Sequence, residues 1–215
     1  MKRVVVFCLA LLTASVSLSA QTESESASAS HSWGDYRHSL SVTAGLPSGY
    51  FLARELFVDI WVSAADHAGN SRFYGSYSME YHCQCLWWLR AGFKAVWEGD
   101  SHDVYADKEK TTLKGHSFGH TAALMPSVQF TYFHSKYVEL YAGIDAGAEL
   151  MLRQTRYEEG YSDGNGNSSK LSYTWLPALN VTPFGMNVGN DRVYGLLELN
   201  VGSDAVVKAG LGCHF

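Results

Sequence analysis

The sequence predicts an all-β fold: an eight-stranded, antiparallel, up-and-down transmembrane β-barrel. Three observations predict it. Eight stretches alternate apolar and polar residues with the two-residue period of a strand, and each has one continuous apolar face. Beyond the first twenty residues, no apolar run is long enough to cross a bilayer as a helix. The composition, with 13 Tyr, 6 Trp, 10 Phe and 20 Gly against 4 Pro, suits short strands and turns.

The elements follow in order. Residues 37–46 place Leu40, Val42, Ala44 and Leu46 on one side and Ser39, Ser41 and Thr43 on the other. Residues 73–84 set Phe73, Tyr77, Met79, Tyr81 and Cys83 against Ser76, Ser78, Glu80, His82 and Gln84. Residues 87–98 set Trp87, Leu89, Ala91, Phe93, Ala95 and Trp97 against Arg90, Lys94 and Glu98. In 117–132, Ala122, Leu124, Val128, Phe130 and Tyr132 oppose Thr121, Ser127, Gln129 and Thr131. In 137–150, Val138, Leu140, Ile144 and Leu150 oppose Glu139, Asp145 and Glu149. In 171–184, Leu171, Tyr173, Trp175, Leu179 and Val181 oppose Ser172, Thr174, Asn180 and Thr182. In 192–201, Val193, Leu197, Leu199 and Val201 oppose Tyr194, Glu198 and Asn200. In 205–215, Val207, Ala209, Leu211, Cys213 and Phe215 oppose Lys208 and His214. The apolar parity carries no charge, and a charge at the bilayer midplane would cost about 2–4 kcal/mol. A soluble periplasmic β-sandwich is the alternative fold, since alternation alone permits it.

Lys2 and Arg3, the apolar run 4–12 and the small residues to Ala20 read as a secretory signal peptide over 1–20. Residues 21–36, rich in Ser, Ala and Glu, read as a disordered periplasmic lead-in. The barrel then occupies 37–215. An even strand number puts both termini in the periplasm, so the connections 47–72, 99–116 and 151–170 become outer loops. The connections 85–86, 133–136 and 185–191 become inner turns, and 202–204 a tight outer hairpin. Within the first outer loop, Phe51, Leu52, Leu56, Phe57, Ile60 and Trp61 carry partly helical spacing, which predicts a short amphipathic helix over 50–62.

An eight-stranded barrel is only wide enough for side chains to fill it. Glu80, Arg90, Lys94, Glu98, Glu139, Asp145, Glu149, Glu198 and Lys208 are therefore expected to form a lumenal polar network. Arg90 and Lys94 are expected near Glu80, and Lys208 near Glu198. Trp87, Trp97, Tyr132, Trp175 and Phe215 are the expected interfacial aromatics. The formal net charge of −5 is dispersed and offers no basic stripe, so nucleic acid is not an expected partner. Cys83 and Cys85 share a strand face, which does not favour a bond between them, and Cys213 leaves an odd count; they read as small apolar residues. His116 and His120 would stand about 13 Å apart on one strand face, too far for one metal ion. His116-Ser117, His134-Ser135 and His102-Asp103 are catalytic candidates by composition only, so no catalytic, cofactor or metal site is expected.

The stretches FYGSYSMEYHCQCLWWLRAGF, ALMPSVQFTYFHSKYVELYAGIDAG and VYGLLELNVGSDAVVKAGLGCHF resemble the small outer-membrane β-barrel proteins of Bacteroidetes-type bacteria. The terminal Phe215 on an alternating strand resembles the signal such barrels present to their assembly machinery, with His214 where Arg or Lys is more usual. The resemblance implies an outer-membrane location and lipid and assembly-machinery partners, and implies no activity. The sequence thus leads to a non-enzymatic barrel acting through its outer loops on an unknown surface ligand. A lipid-modifying enzyme and a narrow channel are the alternatives.

Overall fold

In the computed structural model, the described residues are 37–49, 51–52, 67–106, 111–162, 166–190 and 192–215. They form eight strands: β1 (His38–Gly45), β2 (His67–Leu86), β3 (Leu89–Tyr105), β4 (Leu113–His134), β5 (Val138–Tyr157), β6 (Ser169–Gly189), β7 (Val193–Gly202) and β8 (Val207–His214). Every strand pairs antiparallel with its sequence neighbours, and β8 pairs with β1 to close the ring. No helix among the described residues is long and apolar enough to cross a membrane. The expected signal peptide and lead-in lie outside the described residues, and so does most of the expected helix over 50–62. Of that helix, two bonds are described: the Leu52 N–H donates to the Ser48 carbonyl and the Phe51 N–H to the Ser48 hydroxyl oxygen, each at 3.0 Å.

The alternation holds through the ring. Val42, Met79, Phe93, Leu124, Ile144, Leu179, Val201 and Leu211 face outward and are exposed. Ser41, Ser78, Glu80, Lys94, Ser127, Asp145, Asn180, Glu198 and Lys208 are buried on the enclosed face. This inverts a soluble protein, in which the buried face would be the apolar one. One apolar group does lie inside: Val96, Ala123, Met125 and Ala178 form a small buried cluster.

The strands outrun their sequence-based limits. β2 begins at His67 rather than 73, β3 continues to Tyr105 rather than 98, and β5 to Tyr157 rather than 150. The three long connections shrink accordingly. Apolar alternation requires lipid on one side. Beyond the bilayer both faces meet water, so the pattern fades while the backbone ladder continues. Gly45, the last residue of β1, pairs with Ser76 inside β2, and Gly202 of β7 pairs with Asn180 inside β6. Above those two pairs β2 to β6 rise as a five-stranded sheet that β1, β7 and β8 do not reach.

Three local expectations are corrected. Phe73 does not share the outward face, because the register shifts between Phe73 and Gly75 and Phe73 comes opposite the buried Asp100. Its ring instead meets the buried Phe51 at 5.3 Å. The bulge inserts one residue and so reverses parity beyond it. Trp87 is not on a strand face: Leu86 pairs with Leu89, leaving Trp87 and Trp88 as the turn. The turn after β6 is shorter than 185–191, because β6 continues to Gly189 and β7 starts at Val193, and the Asn190 side-chain oxygen accepts the N–H groups of Arg192 and Val193.

Close approach fixes at least one glycine. A Cβ on Gly185 would lie 2.4 Å from the Tyr141 ring, which crosses the backbone there. Gly185→Ala must push that ring aside, and overpacking of this kind costs about 1–3 kcal/mol. The expected result is a lower urea midpoint at unchanged slope in detergent micelles; an unchanged midpoint would show that the ring moves freely.

Candidate functional site

The enclosed charges form two groups. In the larger, the Lys208 ammonium donates to Glu80, to Asp204 at 2.6 Å and to Ser78 at 3.2 Å, and pairs with Glu198 at 2.9 Å. Lys94 donates to Asp145 at 2.6 Å and lies 3.3 Å from Asp204, 3.4 Å from Glu80 and 3.9 Å from Glu198. Tyr141 donates its hydroxyl proton to Glu198, and Asn180 donates to Asp145 at 2.8 Å. Both lysines are 1% exposed. Such charges survive burial only when paired and hydrogen-bonded, and here strands β2, β3, β5, β7 and β8 each supply a partner. Oxygens of Glu80, Glu198 and Asp204 converge within 4.8 Å, the geometry of a cation site. The Lys208 ammonium bonds two of these carboxylates and pairs with the third, so a lysine already supplies that positive charge.

The second group lies nearer the chain termini. Arg90 pairs with Glu139 at 2.7 Å and donates its Nε–H to Gln84 at 2.8 Å. Thr131 and Asn187 donate to the same carboxylate at 2.7 and 3.1 Å. Arg90 was expected beside Glu80, but its partner is Glu139, two strands away across the interior. A long side chain on an inward face reaches across a narrow barrel as readily as along the ladder. Toward the tip, Glu98 accepts from the Ser48 N–H and hydroxyl, each at 2.8 Å. Glu149 is buried and hydrogen-bonded by Ser203.

Asp204 is the main residue that the sequence reading missed. It was placed in a plain hairpin, yet it is fully buried and completes the lysine cluster. Ser48 bridges to Ala205, and the Val206 N–H donates to the Pro47 carbonyl at 3.2 Å. These contacts turn the β7–β8 connection inward. The only available signal was a carboxylate within four residues of an inward-facing Lys208.

Outside the ring, the expected aromatics fall at two levels. Trp87 and Phe215 are exposed at the terminal end, with Tyr132, Trp88 and Phe130 beside them. Trp97 stacks obliquely with Tyr77 at 5.8 Å toward the tip, and Trp175 is exposed on the outward face of β6. Cys83, Cys85 and Cys213 are free thiols.

The histidine candidates do not assemble a nucleophile and base. Neighbours on a strand face opposite ways. His116 accordingly meets Asp103 at 2.7 Å, while Ser117 is buried on the other face. His120 stacks on Trp97 at 5.8 Å, well apart from His116. Ser135 spends its hydroxyl on the Val138 backbone. His116, Asp103, Asn70 and Tyr105 instead lace the raised sheet together, with Asn70 donating to Asp103 at 2.9 Å and to the Tyr105 hydroxyl at 3.0 Å. The Asn70 amide, and then His116, hold the Asp103 carboxyl below the ordinary aspartate range.

A closed antiparallel ring with apolar residues outside and ion pairs inside is the architecture of outer-membrane β-barrels, and this chain is one of that class. Solved structures are similar to it. The N-terminal β-barrel domain of Pseudomonas aeruginosa OprF is 10% identical with a TM-score of 0.41, over 84% of this chain and 99% of that one. Ail, the attachment invasion locus protein of Yersinia pestis, is 9% identical with a TM-score of 0.39, over 83% and 98%. Ail in complex with the heparin analogue sucrose octasulfate gives 10%, 0.38, 83% and 98%. No protein-family model and no curated protein matches the sequence.

Proposed function

We propose that the protein is a structural and surface-interaction barrel, non-enzymatic and non-conducting, that acts through the sheet raised beyond its ring. Its termini face the periplasm and its tip faces outward. The outward belt meets outer-membrane lipid, and the strand ending at Phe215 engages the assembly machinery, in keeping with the Bacteroidetes-type resemblance. The observation that carries the closed lumen is the cluster in which Lys94 and Lys208 bind Glu80, Asp145, Glu198 and Asp204 across the interior. Side chains bonded to partners on five strands support a lumen closed to water, and the buried Met125 group adds apolar atoms to the same interior. His116 and His120, tied to Asp103 and Trp97, support a role without catalysis at those two positions.

Recording in planar bilayers tests this reading. Reconstituted protein is expected to give no steady conductance at any applied voltage that the bilayer tolerates. A reproducible unit conductance that disappears on heating the protein would overturn the closed lumen.

A further inference from the structure

We propose that the open edge of β6, from Leu171 to Trp175, accepts an extended segment of another polypeptide as an added strand; this rests on the surface-interaction reading above. β6 pairs with β5 from Ser169 onward, but β7 reaches only Asn180. Among the described residues, 169–179 therefore have a partner strand on one side alone.

The direction of each backbone group follows from two bonds. The Leu179 carbonyl accepts from the Ser203 N–H on the β7 side, and the Ser168 carbonyl accepts from Tyr157 on the β5 side. Antiparallel residues alternate between their two neighbours, and the β5 register is unbroken between Ser169 and Asn180. Leu171, Tyr173 and Trp175 thus aim their N–H and carbonyl groups at the vacant side. Pro177 shares their parity, has no N–H, and ends the row.

The side chains fit the same occupant. Leu171, Tyr173 and Trp175 are 70%, 71% and 64% exposed on one face. Lys170, the only charged residue of the strand, is exposed on the other. A row of N–H and carbonyl groups at strand spacing is matched bond for bond by another β-strand, and lipid tails offer it no partner. The incoming strand would carry apolar residues on the Tyr173 face and a carboxylate beside Lys170. A second copy in the same membrane does not fit. A two-fold axis along the membrane normal sets the two β6 strands parallel and oppositely tilted, so their edges cannot run side by side.

The test uses the full chain in lipid nanodiscs and an acetylated, amidated peptide of sequence Val-Glu-Val-Glu-Val-Glu-Val. Without peptide, the amides of Leu171, Tyr173 and Trp175 are expected to exchange at least tenfold faster than those of Ser172 and Thr174. Saturating peptide is expected to slow the first three at least tenfold. Tyr173→Pro removes an N–H that β5 does not use, so the folded gel mobility is retained while affinity falls about tenfold. Lys170→Glu should weaken this peptide and favour its Lys-substituted counterpart. Edge amides already protected without peptide would overturn the proposal, as would protection that rises with protein concentration, which means self-association. Equal binding by Tyr173→Pro would overturn it too. Labelling of Lys170→Cys on intact cells by an impermeant maleimide separates the two readings: a labelled cysteine with no peptide binding defeats only the edge, whereas an unlabelled one defeats both.

Discussion

Lys208→Met is expected to destabilise the barrel by about 3–5 kcal/mol, the usual cost of leaving buried charges without their partner. The methionine fills most of the same volume, so packing changes little. Glu80, Glu198 and Asp204 would be left converging within 4.8 Å, with Lys94 as the nearest remaining cation of the cluster. Urea titration in micelles, read by the different gel mobility of folded and boiled protein, measures the loss. Adding Glu198→Gln to Lys208→Met removes one stranded charge and should recover part of it. If Lys208→Met unfolds at the wild-type midpoint, the cluster does not stabilise the interior as described here.

The second large effect lies on the outward face. Ile144 is exposed on the part of β5 that lies between the two aromatic levels, with Val128 and Val181 as its neighbours. Ile144→Arg is expected to cost about 2–4 kcal/mol when unfolding is measured from lipid vesicles. On a water-facing surface the same change would fall within about 0.5 kcal/mol of zero. The contrast separates a membrane barrel from a soluble sandwich without reference to any other protein. An arginine tolerated there in vesicles would mean that lipid does not touch this face.

Much of the ring was legible because its physics is local. Whether a residue meets hydrocarbon or the interior depends on its parity, and parity is written along the chain. Lys94, Asp145, Glu198 and Lys208 could be assigned inward one strand at a time. Phe73 departs from its expected face where parity breaks, because nothing in FYGSYS marks Tyr74 as the extra residue of a bulge. The raised parts of β2, β3 and β5 read as loops in the sequence because those strands lose their apolar face where lipid ends, and a ladder of backbone bonds leaves no sequence pattern of its own; β6 keeps Leu171, Tyr173 and Trp175 and reads as a strand from 171.

The sequence by itself determined the strand number and, away from the bulges and turns, which residues turn inward or outward, since both follow from a two-residue period judged against oil and water; the pairing of β8 with β1 that closes the ring belongs to the tertiary structure. Only the tertiary structure decided who bonds to whom: Arg90 with Glu139 rather than Glu80, Asp204 drawn into the lysine cluster, and β6 above Asn180 paired, among the described residues, with β5 alone. Those outcomes depend on strand stagger and on distances across the ring. Both arise only when eight strands close on one another, and no single strand encodes them.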